Sequence, residues 1–162
     1  MLFQRLALAL AVLASFAARA ADAPVIGLIT KTESNPLQTA MENCLQKDPN
    51  INLIYTGNEP AAAGAFNALR KAGAERGVTI VSIDGGCEGV CNVASGMIAA
   101  TSQQYPVKMG AMDVAAAVEY TKTGKKPSGY INTGVTLIAH KPVAGVDSKD
   151  VKSGTDLGQR VT

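Results

Sequence analysis

The sequence predicts an α/β fold in which a parallel sheet is flanked by helices. Apolar runs of five to seven residues alternate along the chain with longer Ala-rich stretches. This alternation is typical of successive β–α units, which build parallel sheets. Hydrophobic residues make up 47% of the 162 residues, which is enough for one core, and because Trp is absent that core is built from Ala, Val, Ile and Leu.

The first twenty residues, Met1–Ala20, have the features of a Sec-type signal peptide. Arg5 precedes the apolar run Leu6–Phe16, and Ala18-Arg19-Ala20 forms a small-residue cleavage site. The run is shorter than the roughly 20 apolar residues that a transmembrane helix needs. We therefore expect an exported chain that starts near Ala21, is not membrane-inserted after signal removal, and forms one domain.

Five apolar runs are predicted as strands. They are Val25–Thr30, Ile51–Thr56, Val78–Asp84, Met97–Ser102 and Val135–Ala139.

Helix start and stop residues define three helices between these strands. Leu37–Gln46 ends ahead of Pro49, because a proline disfavours helical geometry in the residue before it. Pro60–Ala72 and Pro106–Thr123 each begin at a proline and end ahead of a glycine. Beyond the last strand the pattern fades, and we expect Lys141–Thr162 to be a surface segment or a frayed end.

Charge argues against a nucleic-acid partner. Without Arg5 and Arg19, the 13 remaining basic residues balance 13 acidic ones. The only dense basic group, Lys122, Lys125 and Lys126, lies at a predicted helix end, where cations offset the helix dipole. No stripe of cations is available to neutralise a row of phosphates.

Polar side chains follow four of the predicted strands. In parallel sheets, ligands bind at the carboxyl ends of the strands. Carboxylates and amides dominate these positions, and they suit a ligand made of hydroxyl groups, such as a polyol or a sugar, better than a phosphate or a metal. The residues are Thr32, Glu33, Ser34 and Asn35 after the first strand, Asn58 and Glu59 after the second, Asp84, Gly85 and Gly86 after the third, and Ser102, Gln103 and Gln104 after the fourth.

Each group also has a purely structural interpretation, and the sequence leaves both open. Asn35-Pro36 and Asn58-Glu59-Pro60 are also typical of helix N-termini, where the side chain accepts hydrogen bonds from free amides. Asp84-Gly85-Gly86 is also typical of a turn that ends a strand.

Enzyme chemistry has little support in this sequence. The single histidine, His140, has no nucleophile or orienting partner nearby, and no Gly-x-Ser-x-Gly, Walker or Cys-x-x-Cys motif is present. No cofactor is expected. Cys87 and Cys91 lack the second ligand pair of a zinc site, so no metal is expected. In an exported chain, a structural disulfide between Cys44 and Cys87 is the preferred pairing, with Cys91 left over.

Four segments together resemble the periplasmic sugar-binding proteins of ABC transporters. They are Gly27–Pro36, Ile54–Ala65, Val81–Cys87 and Ala100–Pro106, and Asn-Glu-Pro-Ala-Ala-Ala-Gly and Thr-Ser-Gln-Gln-Tyr-Pro are the more specific motifs within them. The resemblance is to type I periplasmic binding proteins, in the ribose/fructose-binding branch, and covers nearly all of the chain after the signal.

This resemblance implies a fold, a ligand and a partner. The expected fold is mainly the C-terminal lobe of a two-lobed protein that closes on its ligand. Asn35 would contact a monosaccharide from the N-terminal lobe, and Asn58, Asp84 and Gln104 from the C-terminal lobe or the hinge. The implied location is the periplasm, and the implied partner is a membrane permease.

The chain departs from the family by what resembles a large internal deletion. It passes from Asn35-Pro36 directly into a C-lobe helix, and Leu37-Gln38 stand where the family has sugar-stacking aromatic residues. The resemblance therefore divides the chain into a signal peptide (1–20), a remnant of the first N-lobe strand (21–36), a sugar-binding α/β domain (37–140) and a tail (141–162). Strand Val25–Thr30 and helix Pro106–Thr123 would lose their N-lobe neighbours and expose apolar surface.

Two functions follow from these patterns. The first is a periplasmic sugar-binding protein, or a shortened remnant of one, that binds a monosaccharide such as fructose or ribose. The alternative is a secreted α/β interaction domain that no longer binds sugar.

Overall fold

The computed structural model describes residues 25–29 and 37–159. The predicted signal peptide, Asn35 and most of the predicted N-lobe remnant lie outside the described residues.

A six-stranded sheet forms the centre of the described structure. Its strands lie side by side in chain order, β1 to β6. The first four are parallel to one another, β5 is antiparallel to β4, and β6 is parallel to β5. Their bounds are Ile26–Ile29, Leu53–Thr56, Thr79–Asp84, Ala100–Gln103, Thr136–Ala139 and Ser148–Lys149.

Five helices accompany the sheet. Three of them agree with the prediction to within one or two residues. All five, α1 to α5, are Leu37–Lys47, Glu59–Ala72, Cys87–Ala94, Pro106–Thr123 and Val151–Gln159. None of the described helices is long and apolar enough to cross a lipid bilayer.

Helix α2 shows why local sequence signals predict its bounds. The Asn58 side chain accepts a hydrogen bond from the backbone N–H of Ala61 at 2.9 Å, which caps the first turn. Pro60 lies in that turn, where its missing N–H is not needed. The helix ends at Gly73, whose φ of 68° is the left-handed conformation that glycine adopts readily.

Two predictions for the second half of the chain are wrong. No helix was predicted between the third and fourth strands, but Cys87–Ala94 form α3. The segment after residue 140 was expected to be at the surface or frayed; residues 141–147 are exposed as expected, but residues 148–149 pair with β5 and residues 151–159 form α5. Gly154 of α5 packs against the Ile138 side chain, so contact with the sheet stabilises this helix.

The sheet also differs in direction and bounds from the predicted all-parallel arrangement. Thr136 of β5 pairs with Gln103 of β4, so the chain between them leaves and returns at the same end of the sheet, and β5 runs antiparallel. Strand β4 begins later than predicted because the backbone N–H of Ile98 bonds to Asn92 of α3 instead of a neighbouring strand.

The core lies on one face of the sheet. Ile54 and Ile80 face helices α1 and α2 across this interface, together with Met41 and Leu69, and all four side chains are almost fully buried. Ile138 faces α5 on the same side. Alanines at positions 61, 62, 65 and 68 let α2 approach the strands closely.

The opposite face of the sheet is open in the described structure. Strand β1 shows this clearly, since Gly27 and Ile29 are buried whereas Ile26 and Leu28 are about 60% exposed. The expectation that this strand exposes apolar surface is confirmed, although β1 does pair with β2 along one edge.

Helix α4 is the other exposed element. It has no buried residue, and its large apolar side chains face solvent, which confirms the expectation for Pro106–Thr123.

Candidate functional site

Three of the four predicted ligand-binding residues lie at the carboxyl ends of neighbouring strands. Asn58 follows β2, Asp84 ends β3 and Gln104 follows β4. The register pairs Tyr55 with Val81, so continuing it by three residues brings Asn58 level with Asp84. Adjacent strands are about 4.8 Å apart, so these side chains share one edge of the sheet. The fourth, Asn35, is outside the described residues.

Asn58 has a structural role that does not use its whole side chain. Its Oδ1 atom accepts the capping hydrogen bond from Ala61, so the helix N-terminus interpretation is confirmed for this residue. Its Nδ2 group takes no part in that bond and can donate to a ligand. Capping fixes the side-chain orientation, so the same interaction positions the amide at the sheet edge.

Asp84 has an unusual backbone conformation. Its φ is 121°, and it is the only described non-glycine residue with a positive φ. Such conformations cost about 1–3 kcal/mol and cluster at ligand-binding positions. The carboxylate is exposed, and the Gln104 amide donates to it across a long 3.5 Å contact, while the Gln104 backbone N–H donates to the Asp84 carbonyl at 3.0 Å.

Glu59 connects the strand ends at this edge; the sequence placed it among the polar strand-end residues but not among the four predicted sugar contacts. Its Oε1 atom accepts from the backbone N–H of Gly85 and from the hydroxyl of Thr101, both at 2.8 Å. The carboxylate, which is only 7% exposed, therefore joins the ends of β2, β3 and β4. Burial raises its pKa, the nearby Asp84 charge raises it further, and the bonds from Thr101 and Gly85 act in the opposite direction.

Glycine is required at two positions around this carboxylate. Gly85 has φ of 68°, and a Cβ there would overlap Gln103. A Cβ at Gly89, on the inner side of α3, would overlap the Glu59 carboxyl group. The turn of Asp84-Gly85-Gly86 is therefore a strand-ending turn, as one interpretation of the sequence had it, and it also closes over Glu59.

Gln103 connects the site edge to the last helix. Its Nε2 group donates to the carbonyl of Gly85 at 2.7 Å and to the carbonyl of Gly154 at 3.2 Å. Gln103 is therefore buried and has a structural role, whereas Gln104 is half-buried at the edge of the sheet that carries the candidate site.

The candidate site is separate from a cavity at the opposite end of the strands. A cavity of about 810 Å³ lies at the other end of β3 and β4, where Arg76, Met97 and His140 contribute to its lining. Asn58, Asp84 and Gln104 lie at the opposite end of the strands from this cavity and form one wall of the candidate site.

No cluster of metal-ligating side chains occurs within residues 25–29 and 37–159. The three cysteines are free thiols: Cys44 is half-buried on α1, whereas Cys87 and Cys91 are exposed on α3. The predicted Cys44–Cys87 disulfide is not formed in this structure, and its formation on oxidation stays a prediction.

Comparison with known proteins gives the family. Residues 4–126 match the family model described as a periplasmic binding protein domain, which is most of the chain. The chain belongs to the periplasmic binding protein family.

Curated relatives in this periplasmic binding protein family carry sugar-binding names. The D-allose-binding periplasmic protein of Escherichia coli is 37% identical over 83 residues, which are 51% of this chain and 27% of that protein. The ribose import binding protein RbsB of Salmonella typhimurium is 34% identical over 90 residues, 56% of this chain and 30% of that protein. The matches thus span less than a third of these relatives' length.

Solved structures support the periplasmic binding protein fold. A galactofuranose binding protein superposes with a TM-score of 0.63 at 22% identity, over 77% of this chain and 41% of that one. The predicted fold class, an α/β fold with a sheet flanked by helices of the type I periplasmic binding protein kind, is confirmed, and the sheet is mostly parallel.

Proposed function

We propose that this chain is a shortened periplasmic substrate-binding protein of an ABC sugar importer, and that it retains one wall of a monosaccharide site. The observation that supports this most is the alignment of Asn58, Asp84 and Gln104 at one sheet edge. Family membership and the sugar-binding names of the relatives point in the same direction.

The chemistry of the three side chains fits a sugar. A carboxylate accepts hydrogen bonds from two hydroxyl groups, and amides both donate and accept, so vicinal hydroxyls are matched by Asp84 flanked by Asn58 and Gln104. The positive φ of Asp84 and the buried support from Glu59 hold this wall in place before any ligand arrives. No cofactor or metal takes part in the proposal, and no reaction is catalysed.

Fructose is the proposed ligand on the resemblance of the motifs, with ribose and allose as close alternatives because relatives carry those names. The proposed location is the periplasm after removal of residues 1–20, and the proposed partner is a membrane permease. Residues 21–36 are proposed as the N-lobe remnant, and Asn35 as the fourth sugar contact.

A site that contacts the sugar from one side only is expected to bind it weakly. Three hydrogen bonds at ~0.5–1.5 kcal/mol each supply roughly 1.5–4.5 kcal/mol, which corresponds to a Kd of about 1 mM or weaker. The ring faces of the sugar would lack an aromatic partner, because Leu37-Gln38 replace the family's aromatic residues.

Saturation-transfer NMR with D-fructose, D-ribose and D-allose measures such weak binding directly. We expect transfer to at least one sugar, and its loss in Asp84→Asn and Asn58→Asp. The second variant keeps the helix cap, replaces the Nδ2 donor by an acceptor oxygen and adds a negative charge beside Asp84. The matched control is Asp113→Asn, an identical change on exposed helix α4 that leaves the signal unaltered.

A second function has its own observation in its favour. The open apolar face of the sheet suits a secreted interaction domain that no longer binds sugar. A folded protein, judged by circular dichroism, that transfers no saturation to any of the three sugars would support this second function and contradict the first.

A further inference from the structure

The uncovered face of the sheet is apolar and uncharged. We call it the open face; it comprises Ile26, Leu28, Leu53, Tyr55, Val81 and Ile83, of which Ile26, Leu28 and Tyr55 are 59%, 61% and 41% exposed. Parallel sheets are almost always covered on both faces. Here helices α1, α2, α3 and α5 all lie on the other side, so one layer of the usual arrangement is lacking among the described residues.

Helix α4 presents a second exposed apolar surface, and no described strand or helix packs closely against it. Its residues Val107, Ala111, Val114 and Val118 follow the i, i+4, i+7, i+11 spacing of one helix face, and Gly110 and Ala117 beside them permit close approach to a sheet. Val107, Val114 and Val118 are 58%, 65% and 45% exposed. The charges flank this face: Lys108, Glu119 and Lys122 lie along one side of it and Asp113 along the other.

The start of α4 is held to the chain segment at the beginning of β5. The Tyr105 hydroxyl bonds to the Thr136 hydroxyl at 2.6 Å, and the Lys108 ammonium donates to the Thr133 carbonyl at 2.9 Å. Beyond its first turn, α4 has no packing contact with the described strands or helices comparable to those of the other elements. The helix is therefore an arm anchored at its base.

We propose that this chain forms a symmetric dimer in which the α4 arm of each copy covers the open face of the other. A second copy supplies one arm for each open face, so the contacts are reciprocal and close under two-fold symmetry. This inference goes beyond sugar binding and does not depend on it.

The dimensions allow this arrangement. An 18-residue helix is about 27 Å long and about 10 Å wide, so each arm covers roughly 270 Å² of a sheet. Each contact buries this area once on the arm and once on the sheet. The two contacts of the dimer therefore bury roughly 1,100 Å² in total, which reaches the ~1,000 Å² of a small specific interface. An interface of this size predicts a dimer with a Kd in the micromolar range.

Light scattering coupled to size-exclusion chromatography tests the proposal with protein purified from the periplasm. Dithiothreitol is present, so that Cys87 and Cys91 cannot link two chains. We expect twice the chain mass at about 200 µM. Val114→Asp in the arm and Leu28→Asp in the open face each place an unpaired charge in the interface, and each should weaken the dimer by at least about 30-fold. Val146→Asp, an exposed change outside both surfaces, is the matched control.

Mixing the two variants identifies which surfaces meet. The arm of the Leu28→Asp copy and the open face of the Val114→Asp copy are both intact, so an equimolar mixture should dimerise more strongly than either variant alone. Contact between two open faces, or between two arms, gives no such recovery.

Three results would overturn the proposal. One is a folded wild-type chain that stays monomeric at about 200 µM. The second is a dimer that persists unchanged in Val114→Asp. The third is a mixture that behaves as the sum of its monomeric parts. Circular dichroism of each variant separates loss of association from loss of folding.

Discussion

Glu59 provides the sharpest test of how the strand ends are held together. Replacement by alanine removes the acceptor for two buried donors, the Gly85 N–H and the Thr101 hydroxyl. Each hydrogen bond to a charged group contributes about 1.5–3 kcal/mol. The alanine variant no longer buries a carboxylate, and this partly offsets the loss of the two hydrogen bonds. We therefore expect a net loss of roughly 3 kcal/mol in the free energy of unfolding and roughly 10 °C in Tm.

The pH dependence of the free energy of unfolding separates the effect of the Glu59 charge from the effect of its hydrogen bonds. Because burial raises the pKa of Glu59, the folded chain binds this proton more tightly than the unfolded chain. The stability from this group is therefore fully present below the ordinary pKa of 4.5 and is lost as the pH rises through the folded-state pKa. Glu59→Gln keeps the Oε1 acceptor without the titration, so the wild type should gain stability relative to this variant as the pH falls from 7 to 5.

Urea unfolding followed by circular dichroism at pH 5 and pH 7 measures both effects. The control is Glu119→Ala, the same change on an exposed residue of α4 whose side chain makes no described hydrogen bond. An alanine variant of Glu59 as stable as this control would refute the hydrogen-bond argument. Parallel pH profiles for the wild type and Glu59→Gln would refute the argument from burial.

Three further substitutions follow from the same contacts. Gly85→Ala should cost more than about 2 kcal/mol in urea unfolding, because it adds overlap with Gln103 to a positive φ, whereas Gly96→Ala, at φ 78° in open space, should cost only about 1 kcal/mol. Gln103→Ala removes the bond to the Gly154 carbonyl, so hydrogen exchange of residues 151–159 should become faster while that of α1 stays unchanged. Lys71→Ala breaks an ion pair with Glu42 that is largely open to water, and its Tm should match that of the wild type; a clear drop would mean that the pair matters.

The elements that were predicted well carry their own boundary signals. Helix α2 has a capping Asn58, a proline in its first turn and Gly73 at its end, so three local features fix its bounds. Helix α3 was missed because Gly86 gives no side-chain cap and the helix is only eight residues long. Helix α5 was missed because Gly154 interrupts its helical propensity, although packing against Ile138 requires a residue without a side chain there.

The residues of the candidate site also differ in whether the sequence alone predicts them. Asn58, Asp84 and Gln104 could be selected from sequence because the carboxyl ends of parallel strands share an edge. The role of Glu59 could not, since its partners Gly85 and Thr101 lie 26 and 42 residues away and come together only in the folded sheet. Gln103 was likewise indistinguishable from Gln104, because alternation along β4 buries one side chain and leaves the next at the edge.

The site edge and the open face have different physical origins. The carboxyl ends of parallel strands form an edge in any open sheet, whereas the second face is exposed here because helices α1, α2, α3 and α5 lie on one side of the described sheet. The two surfaces act through different chemistry. Sugar hydroxyls are recognised by Asp84 and its amide neighbours at the site edge, whereas dimer formation depends on aliphatic contact at the open face. Temperature should therefore affect sugar binding and dimer formation differently. Apolar association weakens on cooling, whereas hydrogen bonds to a carboxylate do not share that dependence. A variant that loses the dimer and keeps the sugar signal, or the reverse, would show that the two surfaces function independently.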